Sequence, residues 1–145
     1  MVALVIAAHG EMAPALLASA EMIAGPSEDV RAVTFSKSEG PDDLLKKYEE
    51  ASQELGSDVL FLVDLFGGSP FNAAARFAAA HPGTDVVTGV NLPMLVEVLM
   101  SRAVLTDVPA LVQQARTSGT SGVRTFSDMN TTSASDAEDD EGDEL

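Results

Sequence analysis

Residues 59–72 decide the fold, because they pass from an apolar run through a glycine-rich turn into a helix start: Val59-Leu60-Phe61-Leu62-Val63-Asp64-Leu65-Phe66-Gly67-Gly68-Ser69-Pro70-Phe71-Asn72. An uninterrupted apolar run of this length is typical of a central parallel strand that is buried on both faces. Serine followed by proline favours the first turn of a helix. The stretch therefore predicts a strand that ends at Asp64 and a helix that runs from Ser69 to the breaker His81-Pro82-Gly83.

A second apolar run, Val2 to Ala8, ends in a polar residue in the same way, at His9. Apolar residues at three- and four-residue spacing follow it and predict a helix that stops at Gly25-Pro26. Strand and helix candidates then alternate, which is typical of βαβ units and a mostly parallel sheet. The other predicted strands are Val30–Phe35, Asp85–Val90 and a short fifth strand at Gly122–Phe126. The other predicted helices run from Gly40-Pro41 to Gly56, from Met94 to Arg102 and from Val108 to Arg116. Gly119 and Gly122 lie at the exit of the last helix.

This pattern predicts an α/β fold with three layers and a doubly wound, mostly parallel sheet. In the flavodoxin-like strand order 2-1-3-4, strands one and three are neighbours, and ligands bind at the switch point between them. His9 and Asp64 would then face each other across that crevice. The length fits one domain, at residues 1–126. Residues 127–145 are rich in Ser, Thr, Asp and Glu and cannot bury a core, so we expect a disordered acidic tail.

The composition excludes several classes of function. The chain has no cysteine and two histidines, which argues against a disulfide framework and against a metal site, and no cofactor is indicated. Seven acids and no base lie in Asp136–Leu145, so residues 1–135 still carry −8 of the total charge of −15. Such a surface disfavours nucleic acid and anionic lipid. No apolar run approaches the roughly 20 residues of a membrane span, and we expect a cytoplasmic protein.

The two strand ends together indicate phosphoryl chemistry. A carboxylate at Asp64 would accept the proton of one ring nitrogen of His9, fix the tautomer and leave the other nitrogen free to attack. It would also stabilise the positive charge that a phosphorylated ring carries. Gly67, Gly68 and Ser69 would let backbone N–H groups at a helix N-terminus approach the phosphoryl group.

Each piece alone has a plainer interpretation. A histidine or an aspartate after a strand is often only a capping group, and Gly67-Gly68-Ser69-Pro70 could be only a turn and a helix cap. His81, beside a helix exit, is interpreted as an ordinary loop residue. The occurrence of His9 and Asp64 at two adjacent strand ends is what favours a functional site.

Four segments carry a resemblance to a known family: Val5-Ile6-Ala7-Ala8-His9-Gly10, Ala20-Glu21-Met22-Ile23-Ala24-Gly25, Val63-Asp64 with Gly67-Gly68-Ser69-Pro70-Phe71-Asn72-Ala73-Ala74, and Gly89-Val90-Asn91-Leu92-Pro93-Met94-Leu95. They resemble the IIA component (EIIA) of the mannose/fructose/sorbose family of the bacterial phosphoenolpyruvate-dependent sugar phosphotransferase system. The similarity spans residues 2 to about 126. It implies that His9 is the phosphorylated histidine, Asp64 its hydrogen-bonding aspartate and Ser69 a phosphate-contacting serine.

The resemblance further implies a phosphotransferase that acts as a phosphocarrier. It would accept a phosphoryl group from the carrier protein HPr on Nε2 and pass it to a IIB component, with the membrane components IIC and IID engaged only indirectly. It also implies a homodimer that exchanges the antiparallel fifth strand. Leu65 departs from the threonine expected after the aspartate, so one hydroxyl near the phosphate is absent, and the acidic tail in place of a linker indicates a stand-alone subunit.

Two alternatives stay open at the level of sequence. Phosphorylation of His9 could serve only to switch affinity for a regulatory partner. A related IIA-like subunit of dihydroxyacetone phosphorylation would share the fold and the histidine, but is not expected to carry the block Gly67 to Asn72.

Overall fold

The computed structural model describes residues 1–56 and 58–131, and its secondary structure follows the predicted alternation closely. The strands are β1 (Ala3–Ala7), β2 (Val30–Val33), β3 (Val59–Val63) and β4 (Asp85–Val87). The helices are α1 (Met12–Ala24), α2 (Pro41–Leu55), α3 (Ser69–Ala80), α4 (Leu92–Ser101), α5 (Val108–Ser121) and α6 (Phe126–Thr131). All four strands are parallel, in the order β2-β1-β3-β4, which confirms the predicted topology.

The sheet is the middle of three layers because successive side chains of β1 and β3 enter opposite cores. Val5 and Phe61 belong to one buried cluster, which α2 and α3 cover. Leu4 and Leu60 belong to the other, which α1, α4 and α5 cover. Every residue of β1 and β3 is buried, so the uninterrupted apolar character of both runs follows from burial on two faces.

Most elements lie within two residues of their predicted bounds, and β4 and α5 depart further. β4 ends at Val87 and not at Val90, because Gly89 adopts a positive φ of 75° and turns the chain out of the strand. α5 continues to Ser121, past the predicted exit glycine at Gly119. A Cβ at Gly119 would lie 2.7 Å from the methyl group of Met94. The glycine therefore permits close packing of α5 against α4 and does not end the helix.

The predicted fifth strand is wrong for the single chain. Val123 to Thr125 form neither helix nor strand, and Phe126 begins α6. A strand needs a neighbour with which to share backbone hydrogen bonds, and within the described residues nothing pairs with this segment. Residues 127–131, predicted to belong to the tail, lie in α6, and the rest of the predicted tail lies outside the described residues.

Candidate functional site

His9 and Asp64 meet at the carboxyl edge of the sheet, as the strand order requires. β1 and β3 are paired with Ala7 opposite Val63, so the residues that follow each strand leave the sheet side by side. The Nδ1 atom of His9 lies 2.8 Å from Oδ2 of Asp64, and the backbone N–H of His9 donates to the same oxygen at 2.9 Å. One carboxylate oxygen therefore fixes both the main chain and the ring of His9.

This pairing determines the state of the ring. An ionised carboxylate only accepts hydrogen bonds, so Nδ1 carries the proton and donates a hydrogen bond to Oδ2 of Asp64. Nε2 then keeps its lone pair. The side chain of His9 is 49% exposed and that of Asp64 is 13% exposed. Nε2 is thus on an accessible ring, while the carboxylate that orients this ring is largely covered.

The pKa of Asp64 lies below its ordinary value. Burial alone would raise it, but the hydrogen bonds from the backbone and ring of His9 outweigh burial and favour the ionised form. Oδ1 of Asp64 is buried and has no hydrogen-bond partner within residues 1–56 and 58–131. The carboxylate is therefore ionised at neutral pH and acts on His9 through Oδ2 alone.

The aromatic ring of Phe35 also contacts the imidazole ring of His9. Its ring meets that of His9 edge-on, with centroids 5.8 Å apart. The N–H of Gly10 donates to the carbonyl of Phe35 at 2.8 Å, which ties the segment after β2 to the segment after β1. The imidazole of His9 thus contacts both the carboxylate of Asp64 and the aromatic ring of Phe35.

The glycine turn brings the start of α3 against the ring of His9. Gly67 has a φ of 82°, a conformation that L side chains rarely adopt. A Cβ at Gly68 would lie 2.8 Å from Cε1 of His9 and 3.5 Å from Nε2, so a side chain there would displace the ring of His9. The side-chain amide of Asn72 donates to the carbonyl of Gly67 at 3.1 Å and braces the turn.

This arrangement favours an anion beside Nε2. Ser69 is half-buried and begins α3, whose first-turn N–H groups have no intrahelical acceptors. α1 begins at Met12, three residues after His9, so the positive ends of two helix dipoles lie near this edge of the sheet. A phosphoryl group on Nε2 would meet donors and partial positive charge.

The rim of the site is apolar and open. Leu65 is 59% exposed and Phe66 is 76% exposed, and the ring of Phe66 packs on that of Phe71 with centroids 4.9 Å apart. Such an exposed apolar rim is typical of a surface that meets another protein. Leu65 supplies no hydroxyl group to the site.

All five predicted site residues, His9, Asp64, Gly67, Gly68 and Ser69, lie at this edge of the sheet. His81 does not, since it lies at the far end of α3, where it is stacked on Phe77. Sequence reasoning assigned no role to Phe35 or Asn72. The contact of Phe35 with His9 has no sequence signal, because it depends on how the segments after two separate strands meet. The bond from Asn72 to Gly67 is local, and its signal was the five-residue spacing between a glycine turn and an amide in the first turn of the following helix.

In the described part of the chain, no group of three or more His, Cys, Asp or Glu residues could hold a metal ion. None of the helices described is both long enough and apolar enough to span a bilayer.

Fold and site together define a class: a doubly wound α/β domain with a histidine–carboxylate pair at its switch point, beside an anion-accepting helix start. Residues 3–116 match the family described as the fructose IIA component of the sugar phosphotransferase system, the mannose-type EIIA family. The chain belongs to this family.

Relatives agree with that assignment. The fructose-specific EIIA component of Bacillus subtilis is 42% identical over 79% of this chain and 84% of its own length. The mannose-specific EIIAB component of Escherichia coli K12 is also 42% identical, over 85% of this chain, which spans only 39% of that protein. Among solved structures, EIIA from Streptococcus agalactiae superposes with a TM-score of 0.82 at 32% identity, covering 88% of this chain and 98% of that one.

Proposed function

We propose that this protein is a cytoplasmic phosphocarrier of a sugar phosphotransferase system, acting through a phosphohistidine at His9. The observation that carries the proposal is the pairing of Nδ1 of His9 with Asp64 at 2.8 Å, because it leaves Nε2 as the nucleophile beside the start of α3. We further propose that residues 1–126 form the working domain and residues 127–145 a dispensable tail.

The chemistry needs positioning and charge, and no further cofactor. The lone pair of Nε2 attacks the phosphorus of a phosphorylated donor histidine, and a new N–P bond forms as the donor's N–P bond breaks. His9 keeps its Nδ1 proton, so the phosphorylated ring carries a positive charge that Asp64 offsets. The same events in reverse, with a different partner, deliver the phosphoryl group onward.

The partners follow from the rim and from the family. Leu65 and Phe66 offer an apolar surface beside His9 against which a phosphorylated HPr, and then a IIB component, can pack. The membrane components IIC and IID would be reached only through IIB. The acidic charge of the chain argues against a nucleic-acid partner.

A relay assay tests the function. Purified protein is incubated with enzyme I, HPr and labelled phosphoenolpyruvate, re-isolated, and chased with a IIB component of the mannose family. A carrier takes up the label and loses it to IIB. A protein that takes up label but never releases it to IIB would be a phosphorylation-switched regulatory module instead, and one that takes up none would contradict the proposal.

We also propose that the subunits form a homodimer by exchanging residues 122–126. The outer edge of β4 has no strand beside it in the described chain, and a cavity of about 400 Å³ lies along it, lined by β4 and by α5 residues such as Val112 and Arg116. Val123 and Phe126 are 80% and 77% exposed. An unpaired strand edge and an unburied apolar segment complement each other between two copies.

Truncation tests the exchange. Removing all residues after Gly119 should weaken or abolish the dimer and lower stability, because the exchanged segment is lost. Removing only Asp136–Leu145 should do neither. Sedimentation equilibrium on both truncated proteins measures the effect, and a dimer of undiminished stability in the shorter protein would contradict the proposal.

A further inference from the structure

The hydroxyl of Tyr48 is a buried polar group near the site, and among the described residues it forms no hydrogen bond with His9. Tyr48 projects from α2, is fully buried, and donates a hydrogen bond to the carbonyl of Pro70 at 2.9 Å. Helix geometry already gives a first-turn carbonyl one donor from within its own helix. The hydroxyl is therefore an additional bond whose effect is to tie α2 to the first turn of α3.

The tied turn is the one that contacts the histidine. Pro70 is two residues from Gly68, the residue with no room for a side chain against Cε1 of His9. Between these two positions lies Ser69, at the start of the helix. A shift of the first turn would therefore either press Gly68 onto the ring or draw the backbone donors away from Nε2.

We propose that Tyr48 is a positioning residue for phosphoryl transfer: through Pro70 it fixes the distance between the start of α3 and the ring of His9. This inference rests on the proposed function. Within the described residues, Tyr48 forms no hydrogen bond or ring contact with His9, and its hydroxyl bonds to Pro70, so its effect is exerted through the helix.

The surroundings of Tyr48 keep it a donor. Burial, and then the negative charge of Asp64, raise the pKa of its hydroxyl above the ordinary value, so the group remains protonated at neutral pH. Its ring packs edge-on against Phe61 with centroids 4.9 Å apart. Phenylalanine at this position would keep that packing and lose only the bond to Pro70.

The variant Tyr48→Phe isolates the hydroxyl, and Phe77→Leu is its matched control. Phe77 belongs to the same buried cluster as Tyr48 and lies on α3, two turns after Pro70. Its replacement therefore lowers stability without removing the hydrogen bond from Tyr48 to Pro70. Both variants and the wild type are incubated with saturating phosphoramidate, a small donor that needs no protein partner. All measurements are made where chemical unfolding curves place each protein fully in the folded state.

We expect Tyr48→Phe to accept the phosphoryl group about ten- to a hundredfold more slowly at saturation, the range that small misplacements of reacting groups produce. Phe77→Leu should react at the wild-type rate. Amide exchange at Asn72, whose N–H donates to Gly68 at 2.9 Å in the first turn of α3, should quicken in Tyr48→Phe only.

A wild-type rate in Tyr48→Phe, or an equal slowing in Phe77→Leu, would overturn the inference while leaving the phosphocarrier function intact. Failure of the wild type to accept a phosphoryl group from either phosphoramidate or phosphorylated HPr would overturn both. The two failures are therefore distinguishable.

Discussion

The variant His9→Ala should accept no phosphoryl group from phosphorylated HPr, whereas the wild type should accept one per chain. His9 presents the free Nε2 beside the helix start, and alanine removes the nucleophile itself. The adduct on the wild type should be stable in base and labile in acid, as a phosphoramidate is. Intact-protein mass spectrometry before and after acid treatment measures both properties.

The second histidine supplies the matched control. His81 has its Nδ1 committed to the carbonyl of Phe77 at 2.8 Å, and its ring is stacked on that of Phe77 with centroids 3.8 Å apart. Among residues 1–56 and 58–131, no carboxylate forms a hydrogen bond or ion pair with His81. His81→Ala should therefore be phosphorylated like the wild type, and label retained on His9→Ala would contradict the assignment of the site.

The two central strands could be predicted from the sequence because a strand buried on both faces is apolar throughout. β1 and β3 are apolar throughout since both faces are covered, and their polar successors, His9 and Asp64, mark where the chain leaves the sheet. Parallel strands that pair side by side then bring those successors together. The positions of these residues could be predicted because they depend on strand ends and on one glycine turn, and their role stays a prediction.

Other contacts in the fold depend on residues far apart in the chain. Tyr48 and Pro70 are 22 positions apart, and the amide of Asn91, which donates to the carbonyl of Gly119 at 3.0 Å, is 28 positions from its partner. Apolar periodicity can indicate that Tyr48 is buried, but it cannot reveal which group its hydroxyl contacts. Gly119 likewise suggested a helix end, because the methyl group that excludes a side chain there belongs to another helix.

The segment at residues 122–126 illustrates a different limit. Its composition favours a strand, yet within the described residues it pairs with no strand, and Phe126 begins α6 instead. A strand is a property of a pair of segments, and here the proposed second segment belongs to another copy. Sequence can indicate that a segment is able to pair without indicating where its partner lies.

The variant Asp64→Asn should slow phosphoryl acceptance by about ten- to a hundredfold, because it removes the charge opposite the phosphorylated ring. A hydrogen bond to a charged group contributes about 1.5–3 kcal/mol, and about 1.4 kcal/mol corresponds to tenfold in rate. Single-turnover transfer from phosphorylated HPr to wild type and variant measures the loss. Unchanged rates would make the carboxylate only a cap for the backbone N–H of His9.

The pH dependence of stability separates the charge of Asp64 from its hydrogen bonds. Oδ2 accepts from both the N–H and the ring of His9, so an asparagine must place its oxygen there and its amide where Oδ1 is buried without a partner. Geometry is thus largely kept and charge is lost. Because folding lowers the pKa of Asp64 below its ordinary value, its ionisation contributes stability that is complete above that ordinary value. This contribution is lost as the pH falls through the lowered pKa of the folded protein.

Urea unfolding across this pH range should therefore show that the stability difference between wild type and Asp64→Asn shrinks as the pH falls. A stability difference that is independent of pH would assign the effect of Asp64 to packing alone.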